Sequence, residues 1–130
     1  MGNINVKLLQ REEIKRLVGK QGFTPVYEHL FPVIESQPVS GEKSISDQME
    51  TAKLVRATMD AYGIKTRILE NEKAYPAVYG YMNSNLPNTP TILIGGHYDS
   101  QPSDAKGWKI GGPHKPSLIG EGGETRIFGR

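Results

Sequence analysis

The sequence contains no cysteine in its 130 residues, which excludes disulfide bonds, thiolate nucleophiles and cysteine-ligated zinc. Any metal must therefore be held by histidine, aspartate or glutamate. The charges are nearly balanced, with 16 Lys and Arg and 14 Asp and Glu, which gives a net charge of +2. The composition therefore gives no support for nucleic-acid binding. The sequence also lacks a secretory signal and any apolar run of about 18 residues, the length that a membrane span needs. We therefore expect a cytoplasmic protein that binds neither nucleic acid nor membrane.

Helical patterns occupy the first half of the chain. An apolar stripe over residues 4–18 predicts an amphipathic helix within an amino-terminal extension, residues 1–23. Thr24 and Pro25 then resemble an N-cap and a first helical position, and Pro32 is expected to kink or end that second helix. A longer helix follows from Ser44 or Ser46. Its apolar stripe consists of Ile45, Met49, Ala52, Val55, Met59 and Tyr62, and Gly63 stands where a left-handed C-cap is needed.

Strand patterns follow the long helix. Residues 64–69 alternate as a half-exposed strand does, residues 77–82 are a second candidate, and residues 125–128 are a short third one. Thr91 to Ile94 form a continuous apolar run between turn residues, which predicts a buried central strand. The order of these elements predicts an α/β domain. The expected core is Leu30, Ile34, Val55, Met59, Ile92, Leu93 and Ile94, so Ile92→Asp should prevent folding.

The residues with the most chemical potential come directly after the predicted buried strand, in Gly95-Gly96-His97-Tyr98-Asp99-Ser100. Ligands of open α/β sheets bind outside the carboxyl ends of strands. His97 and Asp99 are two positions apart, so both side chains point to the same side while the chain stays extended. An imidazole beside a carboxylate is a common pairing of a metal ligand and its orienting partner. The alternative is a polar turn that ends a strand, and one His-x-Asp cannot by itself complete a zinc site.

These residues, taken with others downstream, resemble a known family. The run from Thr91 to Pro102, then Gly107-Trp108, Pro113, Pro116 and Phe128-Gly129-Arg130, is similar to the zinc aminoacylase and carboxypeptidase family. That family includes carnosinase-type dipeptidases, acetylornithine deacetylase, succinyl-diaminopimelate desuccinylase and glutamate carboxypeptidase. Its members have an apolar strand, G-H-x-D-x-x-P, a G-W and proline segment, and G-R-G leading into G-x-x-D-x-K-G. Residues 37–41 also resemble the family's I-P-S-V-S-G turn, so the resemblance covers residues 24–130.

The resemblance implies a fold and a chemistry. The fold would be a layered α/β/α zinc-hydrolase catalytic domain, with helices packed on a mixed or mostly parallel sheet. His97 would be a metal ligand of a site for two zinc ions, and Asp99 a catalytic residue that orients His97 and supports the metal-bound nucleophile. The family hydrolyses an amide bond in a dipeptide or an acylated amino acid, with a glutamate as general base, and the parent enzyme would be a homodimer. Manganese or cobalt would also suit these ligand types.

Other candidate residues have simpler interpretations. Trp108 occupies the family's G-W position, and we interpret it as packing beneath the loop. His29 and His114 have no counterpart in the motifs and are interpreted as surface or packing histidines. Glu121-Gly122-Gly123-Glu124 lacks the lysine and helix start of a phosphate loop and is interpreted as a solvated turn.

Two hypotheses of different classes follow from the resemblance. In the first, residues 24–130 are the amino-terminal portion of a metallopeptidase catalytic domain, ending before the motif with the metal-bridging aspartate, and the 130 residues alone are inactive. In the second, the chain is a short non-catalytic binding or assembly module derived from that fold, and it binds zinc weakly or not at all.

Overall fold

The computed structural model describes residues 25–41, 45–119 and 126–130. The helix predicted over residues 4–18, the extension over residues 1–23 and the capping role of Thr24 lie outside the described residues. Within the described ranges, no helix has the combination of length and apolar character that crossing a bilayer requires.

The first described helix changes its hydrogen-bond pattern midway. It begins as a π-helical turn, Val26–Leu30, and continues as α1, Phe31–Glu35. The change falls next to Pro32, whose ring nitrogen has no hydrogen to donate. Pro32 lies in the first turn of α1 and does not end the helix, which continues to Glu35. The chain then turns through Gln37, whose φ is 55°.

The long helix, α2, spans Ile45–Ala61 and confirms the helix predicted from the apolar stripe. Gly63 follows it with φ of 76°, the left-handed conformation predicted for its position. Ala52 and Thr51 are fully buried, and the Thr51 hydroxyl is 2.7 Å from that of Ser36 at the end of α1. The two helices are thus joined by a small apolar contact and a hydroxyl pair. The predicted capping by Ser44 or Ser46 lies outside the described side chains.

The two strands predicted after α2 form a hairpin. β1, Lys65–Asn71, pairs antiparallel with β2, Ala74–Tyr81, with Lys65 opposite Tyr81 and Ile68 opposite Val78. One face of the hairpin packs on α2. Gly80 makes this approach possible, because a Cβ placed there would lie 2.8 Å from Cγ2 of Ile64 and would overlap the end of Met59.

A second, smaller sheet lies near the end of the chain. β3, Ser117–Ile119, pairs antiparallel with β4, Arg126–Phe128, and β4 confirms the short strand predicted there. β3 was not predicted, because three residues after a Gly- and Pro-rich loop show no periodicity. This part of the chain reaches α1, where His114 Nδ1 lies 3.3 Å from the carbonyl oxygen of Ile34.

The buried central strand predicted at residues 91–94 is wrong. Ile92, Leu93 and Ile94 are 80%, 91% and 90% exposed, and no strand is formed there. The apolar run supplies surface that could be buried, but among the described residues no strand pairs with it and no helix covers it. Of the rest of the expected core, Ile34 is buried, Val55 and Met59 are half-buried, and Leu30 is exposed.

The described part of the protein is therefore a small α/β structure with two helices and two antiparallel two-stranded sheets. The mixed or mostly parallel sheet that the family resemblance implies is not formed by the described residues. Parallel pairing between them is limited to an isolated bridge between Val39 and Ser100.

Candidate functional site

The two predicted site residues lie together on a loop. Nδ1 of His97 is 3.1 Å from Oδ1 of Asp99 and 2.9 Å from the carbonyl oxygen of Asp99. In the neutral imidazole, a nitrogen that faces two acceptors carries the hydrogen, so the geometry favours the Nδ1–H tautomer. Nε2 then has a free lone pair, and it has no hydrogen-bond partner among the described residues. The His97 side chain is 86% exposed, so Nε2 is accessible to a ligand.

Ser40 holds Asp99 from the other side. Its hydroxyl donates a hydrogen bond to Oδ2 of Asp99. The backbones are paired as well, since the Ser40 N–H donates to the Ser100 carbonyl at 2.8 Å and the Ser100 N–H donates to the Pro38 carbonyl at 2.7 Å. These bonds make up the parallel bridge between the two segments. They fix the turn after α1 against the loop that carries His97 and Asp99.

Gln48 of α2 supports the same turn from within the protein. The side chain is 1% exposed, and its Nε2 donates to the carbonyl of Val39 at 3.3 Å. Val39 is itself buried. A buried glutamine is stabilised by such a bond, because an unpaired polar group in the interior costs free energy. Its Oε1 has no partner among the described residues.

A cleft of about 520 Å³ opens beside the pair. Its walls are α2, the first half of β2 and the loop, and its lining consists of Gln48, Val55, Met59, residues 75–78, Ile94 and residues 96–99. Tyr98 crosses from the loop to the hairpin, where its hydroxyl donates to the carbonyl of Pro76. The cleft is therefore lined mainly by apolar surface together with His97 and Asp99, a combination found in many small-molecule sites.

The electrostatics of the site keep Asp99 ionised. The hydrogen bond from Ser40 lowers the pKa of the Asp99 carboxyl below its ordinary value, partial burial opposes that shift, and His97 lowers the pKa further. Burial raises the pKa of the Tyr98 hydroxyl, and the neighbouring Asp99 charge adds to this effect. At neutral pH Asp99 is thus an anion that accepts hydrogen bonds, and Tyr98 is a neutral donor.

The donor set of the site meets part of what zinc requires. An exposed imidazole nitrogen supported by a carboxylate suits zinc, manganese or cobalt. A structural zinc site takes four protein ligands, and a catalytic zinc site takes three protein ligands and a water. In the described part of the chain, no group of three or more His, Asp or Glu side chains is placed to hold a metal. The pair therefore fits the role of one ligand and its support, while the described residues do not complete a site.

The other histidines make contacts typical of packing residues. His29 stacks edge-on against Tyr62 with ring centroids 5.4 Å apart, and Nδ1 of His114 faces the Ile34 carbonyl. Trp108 is half-buried after a 3₁₀ turn, Ala105–Gly107. The two histidine contacts agree with the interpretation of His29 and His114 as surface or packing residues. The turn at residues 121–124 lies outside the described residues.

Sequence reasoning missed Ser40, Gln48 and Tyr98. Gln48 had a detectable signal, because it lies three residues after Ile45 and four before Ala52 and so falls on the apolar stripe of α2. A polar residue on such a stripe indicates a buried hydrogen bond. Ser40 had no such signal, since its partner lies 59 positions away in the sequence.

Comparison of the chain with protein-family models, with curated proteins and with solved structures finds no match. The function of the chain is therefore inferred from its residues and from the geometry of the site.

Proposed function

We propose that this chain contributes the first part of the catalytic domain of a metal-dependent amidohydrolase, in which His97 is a metal ligand and Asp99 is its supporting carboxylate. The substrate class is a dipeptide or an acylated amino acid, the metal is zinc, with manganese or cobalt as substitutes, and the protein acts in the cytoplasm. The finer fold belongs to the same proposal: a layered catalytic domain with a mixed or mostly parallel sheet, acting as a homodimer. Residues 24–130 would be its amino-terminal portion.

The observation that carries the proposal is the state of the His97 ring. Nδ1 faces two oxygens of Asp99, while Nε2 has no partner among the described residues, and the largely exposed His97 side chain lines a cleft. A ligand histidine of a metal enzyme is usually arranged in this way, with one nitrogen on a carboxylate or carbonyl and the other on the metal. When bound, a divalent metal polarises a carbonyl and lowers the pKa of a bound water. This chain's own residues orient the imidazole and line the cleft that would receive the substrate.

A non-catalytic binding or assembly module is the second candidate. The exposed side chains of residues 92–94 favour it, because a row of large apolar groups in water is typical of a surface that another element covers. In this alternative His97 and Asp99 are a polar turn, and zinc has no specific effect on them.

The two candidates are separated by zinc titration of the labelled chain, followed by NMR of the histidine rings. We expect the Nε2 resonance of His97 to move first, and His97→Ala to weaken zinc binding about tenfold or more, because the exposed ligand nitrogen is lost. His114→Ala is the matched control and should bind zinc as the wild type does. The 130 residues alone should not hydrolyse a dipeptide.

Equal zinc affinity in the wild type and His97→Ala would overturn the proposal. So would a titration in which His29 or His114 responds before His97.

A further inference from the structure

We propose that Ser40 is a positioning residue of this site: its hydroxyl occupies Oδ2 of Asp99, so that Oδ1 is held toward Nδ1 of His97 and Nε2 is kept as the free nitrogen. This inference rests on the proposed function for its metal-binding consequence. Its structural part, the control of the imidazole tautomer, stands on the geometry alone.

The Asp99 carboxylate is held at both of its oxygens. Asp99 has two oxygens, and the structure places a different partner on each: Ser40 on Oδ2 and His97 on Oδ1. A carboxylate with one oxygen held by a donor cannot rotate without breaking that bond. Asp99 is about one-third exposed, so water would otherwise compete for both oxygens. The Ser40 hydroxyl therefore sets which oxygen His97 meets, and at what angle.

Ser40 is itself held by the backbone around it. Its backbone N–H donates to the carbonyl of Ser100, and the Ser100 N–H donates to the carbonyl of Pro38. The carbonyl of Val39, which precedes Ser40, accepts a hydrogen bond from the buried side chain of Gln48. The chain then turns at Gly41, whose φ is 79°, a backbone conformation that residues with a side chain rarely adopt. The hydroxyl is thus carried on a segment that is held on both sides. A positioning group needs such support, because a loosely placed hydroxyl would follow the carboxylate instead of directing it.

The orientation of the Asp99 carboxylate decides which ring nitrogen of His97 carries the hydrogen. With Oδ1 and the Asp99 carbonyl both accepting, the ring hydrogen belongs on Nδ1. Without Ser40, Asp99 is free to turn, and the preference for Nδ1–H falls. Groups that hold a metal ligand in this indirect way typically change metal affinity by about 10–100-fold when they are removed.

The test uses three variants of Ser40 and one control. Ser40→Ala and Ser40→Val remove the hydroxyl. Ser40→Thr keeps the hydroxyl and has the same β-branched shape as valine. Ser36→Ala is the matched control, since Ser36 is also a half-buried serine whose hydroxyl donates to a carbonyl, that of Val33, but it does not touch Asp99.

The first readout is the tautomer of His97, taken from the ring nitrogen shifts at a pH where the imidazole is neutral and with no metal added. We expect Nδ1–H in the wild type, Ser40→Thr and Ser36→Ala, and a shift toward Nε2–H in Ser40→Ala and Ser40→Val. A wild-type ring that is predominantly Nε2–H would overturn the inference without any variant, so the test does not depend on the variants' folding. Unchanged tautomers in the alanine and valine variants would overturn it as well.

The second readout is zinc affinity by calorimetry. We expect Ser40→Ala and Ser40→Val to weaken zinc binding about tenfold, with Ser40→Thr and Ser36→Ala close to wild type. Zinc binding that needs His97 but is equal in all four variants would refute the role of Ser40 while leaving the proposed function intact. A tautomer shift without any zinc binding at His97 would refute the proposed function while leaving the positioning role intact.

Discussion

Two regions of this protein both carry large apolar side chains but differ in whether those side chains are buried. In the packed region, which comprises α1, α2, β1 and β2, the apolar stripe of α2 lies against the hairpin and against α1. In the exposed segment, residues 91–97, the apolar run Ile92 to Ile94 has its side chains in water. The difference lies in the partners. A helix and a neighbouring hairpin cover one another, whereas an isolated strand needs backbone and side-chain partners on both edges and faces.

The largest expected difference in unfolding free energy is between two matched isoleucine-to-alanine variants, one in each region. Ile34 is 8% exposed in the packed region and Ile92 is 80% exposed. Ile34→Ala should lower the free energy of unfolding by about 2–5 kcal/mol, since it leaves a cavity. Ile92→Ala should change it by less than about 0.5 kcal/mol.

Urea denaturation of both variants measures this contrast. Ile92→Asp, which the apolar run alone predicts to prevent folding, should also leave the unfolding free energy close to wild type. Equal losses from the two alanine variants would show that residues 91–97 are packed in solution and would remove the distinction between the regions.

The next contrast is between two glycines. A methyl group at Gly80 would enter the contact between α2 and the hairpin, whereas a methyl group at Gly95 would meet nothing within 4 Å. Gly80→Ala should therefore lower the free energy of unfolding by about 1–3 kcal/mol, because the side chains of Met59 and Ile64 must shift to admit the methyl group.

Gly95→Ala should be neutral or stabilising by up to about 1 kcal/mol, since it restricts only the unfolded chain. Thermal unfolding followed by circular dichroism measures both. The interpretation of the packed region fails if Gly80→Ala is as stable as Gly95→Ala.

The smallest effect concerns Asp99, the residue that connects the two regions. Its pKa is lowered in the folded protein, chiefly by Ser40. Its ionised form therefore stabilises the fold above the ordinary aspartate pKa, and that contribution is lost as the pH falls through the lowered pKa. The effect is small because solvent screens a partly exposed carboxylate.

Carboxyl carbon shifts followed against pH measure this shift directly. In Ser40→Ala the Asp99 pKa should rise toward its ordinary value, and the acid-dependent loss of stability should become smaller. Thr51→Val, which changes a hydroxyl that does not touch Asp99, is the control and should leave the Asp99 pKa where it is. A wild-type pKa at or above the ordinary value would contradict the geometry.

The local elements were predictable because their signals are local. The stripe of α2 and the left-handed Gly63 depend on neighbours three or four residues apart, and the alternation of residues 64–69 depends on period two. The adjacency of His97 and Asp99 was predictable for the same reason. The prediction of a buried strand at residues 91–94 was wrong because burial depends on which other strands are present. An apolar run carries no information about those strands. Ser40 could not be predicted because nothing local connects it to Asp99.

The bond between Ser40 and Asp99 also has a consequence for the order of folding. It joins residues 59 positions apart, and most of the packed region lies between them. Contacts of high sequence separation form late unless the intervening chain has already collapsed, because closing a long loop costs entropy. The helix and hairpin therefore act as a folded spacer that brings the two segments together. We therefore expect the candidate site to form after the helix and the hairpin, so that its geometry reports that these two elements have folded.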